Sequence, residues 1–323
     1  MRLVIASKKY IGKKLAQPIK TSTGILFAHI GTELTQQVID KIKTMGINYI
    51  YIEEPFAHDV VITPVFEDNT KTTLLNNLIR LYTQIQKNQS IDIRLLAQIV
   101  IMIQDEINLT ENAFLFRDIF KNEIEELAFH SIEVAIYCFA IARNNNMKYQ
   151  DIEKLIASAI LHDIGKLVKN SNSSTHHEMA VNIIRTNITI SPVIYIPILH
   201  LHEKIDGSGP YKIKGDKLHV HAQILHIANN YSNLAQKESD INQRIEIFNM
   251  EASNRYDLEL FKKANEILYC YPNGIMVELT NAKVGIVIKQ NVGFPSRPLI
   301  VTTQGEVINL LHETTTFIKK TIN

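Results

Sequence analysis

Nine of the twelve histidines fall between positions 130 and 226, and imidazoles interleaved with carboxylates are a donor set for divalent metals. Glu126 and His130 stand four apart in "EELAFHSIEVAIYCFAIA", a spacing that places both on one helix face. His162 and Asp163 end the amphipathic stretch "DIEKLIASAILHD", and Gly165 stops that helix before Lys166. An adjacent imidazole and carboxylate can give one terminal and one bridging ligand, while a lysine three residues on can reach a phosphate oxygen. Leu161 and Ile164 flank the pair and would draw that helix end inward. His176 and His177 open "HHEMAVNIIRTNI", and His200 and His202 close another helical stretch in "ILHLHEKIDGSGPY". A single histidine on a helix is more often a solvated or hydrogen-bonded residue than a ligand. Imidazoles from several helices with one bridging carboxylate are what a two-metal hydrolase of phosphate esters needs, and local periodicity alone does not produce that order.

The elements that must carry these residues are mostly helices. From about 70 to 268, apolar residues recur at three- and four-residue spacings in "TLLNNLIRLYTQIQ" and "IRLLAQIVIMIQDEI", the pattern of amphipathic helices. Residues 1–66 instead mix β-branched runs ("RLVIA", "INYIYI") with one helix, "TELTQQVIDKIKTMG", for which Thr32 is the expected cap and Gly46 the stop. After Tyr271-Pro272 the pattern turns β again in "GIMVELTN", "AKVGIVIKQN" and "PLIVTTQGEVINLL". The expected division is a small α+β unit over 1–66, connecting helices over 67–110, a helical domain over 111–268 and a β-rich extension over 269–323.

Bulk composition narrows the function classes. The chain has 323 residues, 46% of them hydrophobic, enough for a large core and about two domains. Thirty-four Lys and Arg against 33 Asp and Glu leave no field to draw in a nucleic-acid polymer or an anionic membrane, so any anion must be held locally. Cys138 and Cys270 stand far apart and give no disulfide framework. The longest apolar runs, such as "LLAQIVIMI", are about half the roughly 20 residues a bilayer span requires, and the N-terminal apolar stretch is too short for a signal peptide. A cytoplasmic location is expected.

The order His130, then "LHDIGK", then His176, then "HEKIDGSG" resembles the HD superfamily of metal-dependent phosphohydrolases, and in particular its HD-GYP branch, whose members cleave the bacterial messenger cyclic di-GMP. The N-terminal "MRLVIASKKYIGKKLAQPI" and the C-terminal "YPNGIMVELTNAKVGIVI" are similar to segments attached to such proteins in Gram-positive bacteria. The resemblance implies a mainly α protein with a multi-helix HD-type domain between the two smaller parts. It implies metal ligands at Glu126, His130, His162, Asp163, His176 and His202, with Asn229 where the family has an aspartate. Asp163 and Lys166 take the catalytic positions, and Lys166, Asp206 and Gly207 the substrate-facing ones. His177 stands beside His176 as an alternative ligand.

Departures from the family pattern shape the functional expectation. Leu201 replaces one of two adjacent histidines, with His200 as a substitute only if the helix end rotates. Asn229 removes a formal charge that hard cations prefer. "GPY" at 209–211 stands for "GYP", Glu238 falls near an expected arginine with Lys237 beside it, and the segment after Lys166 is short. The resemblance then implies a cyclic di-GMP phosphodiesterase homologue with an eroded site, weakly active or inactive, that acts as a nucleotide- or protein-binding signalling module. The alternative is an active two-metal phosphodiesterase. The cofactors are divalent metals, iron, manganese or similar, with two, one or none held. The partner is a cyclic dinucleotide or a signalling protein, and a homodimer is compatible with the sequence.

Overall fold

The computed structural model describes residues 1–21, 25–57, 60, 62–109, 111–113, 120, 122–168, 175–187, 189–238 and 240–322. The N-terminal unit holds β1 (Arg2–Ile5), β2 (Ile19–Lys20), β3 (Leu26–Ala28), α1 (Gln36–Thr44) and β4 (Tyr49–Ile52). β1 and β4 pair antiparallel with Leu3 opposite Tyr51, and Val4, Leu34, Ile39, Ile42, Ile50 and Ile52 form its core. Thr35, not the expected Thr32, caps α1, its hydroxyl accepting from the Val38 amide at 3.2 Å. The carbonyl of Thr32 instead accepts from Leu15, which keeps that residue in the preceding turn and sends Leu34 into the core.

The large body is helical: α2 (Asp68–Asn88), α3 (Ile93–Glu106), α4 (Glu123–Asn144), α5 (Tyr149–Leu161), a 3-10 turn at Ile164–Leu167, α6 (His176–Arg185), α7 (Pro192–Leu199), α8 (Val220–Lys237), α9 (Ile241–Met250), α10 (Ala252–Arg255) and α11 (Leu258–Asn265). α4 is the axis. Its residues from Leu127 to Ala142 are buried except Glu133, because α2, α5, α8 and α11 all pack on it; a helix apolar on every side is one covered on every side. Two buried polar ties fix its neighbours: the Tyr82 hydroxyl donates to the Ile160 carbonyl at 2.5 Å, and the Ser158 hydroxyl to the Ile194 carbonyl at 2.7 Å. The site histidines lie at the ends of α5 and α7, at the start of α6, and within α4 and α8.

The chain closes in β5 (Met276–Leu279), β6 (Val284–Lys289), β7 (Leu299–Thr302), β8 (Val307–Asn309) and β9 (Ile318–Ile322), an antiparallel sheet in the order β8-β7-β6-β5-β9. One sheet face shares an apolar cluster with Ala57 and Val60 of the N-terminal part, and the Leu3 amide donates to the Gly274 carbonyl. The two ends of the chain therefore pack on one another. The protein is mainly α, with a small N-terminal α+β part and a C-terminal β sheet. Among the described residues no helix is long and apolar enough to cross a membrane, and Cys138 and Cys270 are buried free thiols.

Candidate metal centre

The centre forms where α5 ends. His162 is fully buried, and its Nδ1–H donates to the Ala159 carbonyl at 2.7 Å; a carbonyl can only accept, so a neutral ring leaves Nε2 as a bare lone pair. That Nε2 has no hydrogen-bond partner and lies 3.3 Å from Oδ2 of Asp163. The chain then turns tightly through Gly165. A Cβ there would sit 1.8 Å from the His176 carbonyl oxygen, so only glycine lets the first turn of α6 come against the 3-10 turn.

Asp163 divides its two oxygens between two groups of histidines. Oδ2 faces His162 and, at 3.7 Å, Nε2 of His130; Oδ1 faces Nε2 of His176 at 3.3 Å and of His177 at 3.8 Å. Within each group the donor atoms lie within 4.8 Å of one another. Donors sharing one metal at roughly 2.0–2.2 Å stand about 3.0–3.5 Å apart; the contacts to Asp163 at 3.3–3.8 Å lie near that spacing, and each group needs only a small contraction to hold an ion on its side of the carboxylate. Buried Nε2 atoms of His162 and His177 without hydrogen-bond partners and a carboxylate between them suit divalent metals, and the residues present fit such ions.

Electrostatics keeps the donors deprotonated. Burial, and then the neighbouring His162, push His130 down to about 3; burial, and then His176 and His202, do the same to His177. Both rings are neutral at pH 7, the form that ligates. Burial works to raise the Asp163 carboxyl, but His162, the contact from His176 and the charge of Lys166 together hold it well below the usual carboxylate range. The ammonium of Lys166 pairs directly with Oδ2 of Asp163 and is itself exposed.

The other expected site residues are placed differently from one another. Asn229, buried on α8, turns Oδ1 to within 3.1 Å of Nε2 of His130. Glu126 is exposed one turn before His130 and joins neither compact group. His202 is exposed, with its ring 4.6 Å from that of His177. Leu201 points into the core at 0% exposure, and His200 faces the Tyr211 ring at 5.7 Å, so His200 does not take the place of the histidine that Leu201 replaces. Asp206 Oδ1 accepts from the Ser208 amide at 2.8 Å, and Gly207 takes φ 78°; in this structure both serve the turn. The short segment after Lys166 lies outside the described residues from 169 to 174.

Three sets of contacts around the centre were not legible in the sequence. Glu203 is buried at 0% and accepts from the amides of Tyr211 at 2.6 Å and Ile213 at 2.7 Å, so its carboxylate shapes the loop that carries the glycine-proline turn. Tyr211 in turn donates to Glu178 on α6 at 3.1 Å, tying this loop to the helix that presents His176 and His177. His226 lies on α8, one turn before Asn229, with its ring 6.4 Å from that of His202 and its Nδ1–H donating to the Glu203 carbonyl. The i, i+3 spacing of His226 and Asn229 was the available signal. For Glu203 there was none, because its partners lie eight and ten residues on.

Comparison with known proteins places this geometry. The HD domain family matches residues 127–234, from the buried stretch of α4 almost to the end of α8. The cyclic di-GMP phosphodiesterase PA4108 of Pseudomonas aeruginosa is 21% identical over 234 residues, covering 66% of this chain and 56% of that protein; the chain thus spans little more than half the length of this relative. Among solved structures, the HDG"Y"P protein Bd1817 from Bdellovibrio bacteriovorus is similar with a TM-score of 0.48 at 14% identity, over 82% of this chain and 98% of that one. A cyclic GMP-AMP specific phosphodiesterase from V. cholerae gives a TM-score of 0.37 at 15% identity, over 42% and 43%. The matched segment encloses both donor groups around Asp163, and over it this chain is similar to the HD domain family.

Proposed function

We propose that this chain is a metal-binding, cyclic dinucleotide-recognising module of the cyclic di-GMP class, with hydrolytic turnover that is slow or absent. The observation that carries the reading is the division of Asp163, one oxygen toward His130 and His162 and the other toward His176 and His177. Divalent ions held there would supply an activated water and positive charge opposite a phosphodiester. The chain's own residues supply the rest. Asp163 fixes the spacing of the two groups, and Lys166, exposed beside it, can leave that pairing for a phosphate oxygen. The name of the Pseudomonas relative supports cyclic di-GMP as the nucleotide.

Three features support slow turnover. Neutral Asn229 stands where the family has a carboxylate, Leu201 is withdrawn into the core, and exposed Glu126 stays out of both donor groups. The opposing reading, an active two-metal phosphodiesterase, is favoured by the same bridging geometry of Asp163. Metal content of the purified, manganese-loaded chain, cyclic di-GMP binding by calorimetry and product formation by chromatography separate the two. The proposal expects metal and nucleotide binding that Asp163→Ala abolishes, with little product. Linear hydrolysis abolished by the same variant would install the active reading, and a chain that takes up neither metal nor nucleotide would end both.

A further inference from the structure

We propose that Glu133 and Ser232 are positioning residues: a carboxylate–hydroxyl–imidazole relay holds His130 in the tautomer whose Nε2 lone pair faces Asp163, making His130 and Asn229 a pair of acceptors that favours a cation between them. This rests on the reading of the Asp163 groups as a metal centre and adds to it two residues outside the donor set.

The relay follows from proton accounting. Ser232 is fully buried, and its hydroxyl donates to Oε2 of Glu133 at 2.6 Å, a short, charge-assisted bond. A hydroxyl has one proton, so toward Nδ1 of His130, 3.1 Å away, the Ser232 oxygen can only accept. That contact is therefore Nδ1–H to Oγ. A neutral ring carries one N–H, so Nε2 is left bare. Nε2 lies 3.1 Å from Oδ1 of Asn229, and this oxygen already accepts from Asn233 Nδ2 at 3.1 Å. Two lone pairs facing one another at that distance repel unless a cation lies between them, and the separation is about that kept by two donors on one metal.

The surroundings favour this proton arrangement. Tyr137 donates to the other oxygen of Glu133 at 3.3 Å and helps to orient the carboxylate. Gln236 Nε2 lies 3.3 Å from the same Nδ1 and would favour the opposite tautomer, but its residue is exposed and its amide can exchange that contact for water. The positions also explain one another: His130 and Glu133 are three apart on α4, Asn229 and Ser232 three apart on α8, so matching faces meet where the two helices pack. Without the Glu133 charge, the Ser232 proton is released to donate to Nδ1; Nε2 then carries the proton toward Asn229, and a ligand becomes a hydrogen-bond donor.

Two measurements test this on the full chain. Imidazole nitrogen NMR of the metal-free protein, assigned with His130→Gln, should show His130 with the proton on Nδ1, and Ser232→Ala should move it toward Nε2. Manganese titration should show affinity 10- to 100-fold weaker in Ser232→Ala, a smaller loss of the same sign in Glu133→Gln, and retention in Ser232→Thr, which keeps the hydroxyl. A wild-type protein that binds no manganese but shows the Nδ1–H tautomer would refute the metal-centre reading and leave the relay standing. Manganese binding unchanged in Ser232→Ala would overturn the relay alone. Were Ser232→Ala not to fold, the wild-type tautomer decides: a proton on Nε2 of His130 overturns the proposal.

Discussion

At the scale of single residues, Leu201 and Asn229 respond in opposite ways to a change toward the family pattern. In sequence, Leu201→His looks like restoration of a ligand. In the structure Leu201 is wholly buried three residues after Ile198, which is also wholly buried, so a histidine there puts an unpaired polar ring into the core. The expected result is a loss of roughly 2–4 kcal/mol of stability with no gain in manganese affinity, read from urea unfolding and calorimetry; stronger metal binding would show that the α7 end turns over. Asn229→Asp instead sets a second carboxylate beside the imidazole that Asp163 already faces at 3.7 Å. Like charges across one ring destabilise the metal-free protein, and a divalent ion relieves them. The melting temperature should therefore fall in chelator and rise above wild type in millimolar manganese, and parallel shifts under both conditions would remove Asn229 from the metal environment.

At the scale of elements, the loop from Glu203 to Ile213 is held by one buried carboxylate. Glu203→Gln leaves an acceptor for one of the two amides and turns an NH2 group against the other, a mismatch worth about 1–3 kcal/mol. Gly209→Ala forces a methyl to within 2.6 Å of Glu203 itself. In both variants the Tyr211 and Ile213 amides should lose hydrogen-exchange protection while those of α4 keep theirs; retained protection would mean that the loop is held by something other than Glu203. These elements also mark what the sequence could tell. The helices and their order were legible because apolar residues repeat at helical spacing, and the ordered histidine motifs carried the resemblance to HD domains. Thr35 over Thr32 was not legible, because the choice is made by a turn paired with Leu15. The sequence also left His176 and His177 as alternatives, whereas both rings reach the same oxygen of Asp163, since the close approach at Gly165 brings the whole first turn of α6 onto the carboxylate. Ser232 and Glu133 were invisible for the same reason: helical spacing gives each face, and only packing shows that the faces meet.

At the scale of the whole molecule, the helical body stores uncharged imidazoles, and this sets its behaviour with pH. His130, His177 and His226 are pushed down to about 3, and His221 to about 4, in each case first by burial. His221 is the clean probe, because it lies apart from the Asp163 groups. It is buried at the start of α8 with Nδ1 unpartnered, and the charged and titratable groups acting on it are His219, Asp151 and Lys154. Its folded value lies below the ordinary 6.5, so the unfolded chain binds the proton more tightly. The contribution is intact above about pH 6.5 and is lost as pH falls toward 4, by which point the loss is roughly 3 kcal/mol. Urea unfolding in chelator should show stability declining steeply from pH 7 to 4.5. His221→Leu should make that decline shallower by close to one proton over this interval, whatever its effect on stability at pH 7. An unchanged slope would mean that this imidazole gains a proton, or a water, without leaving the folded core.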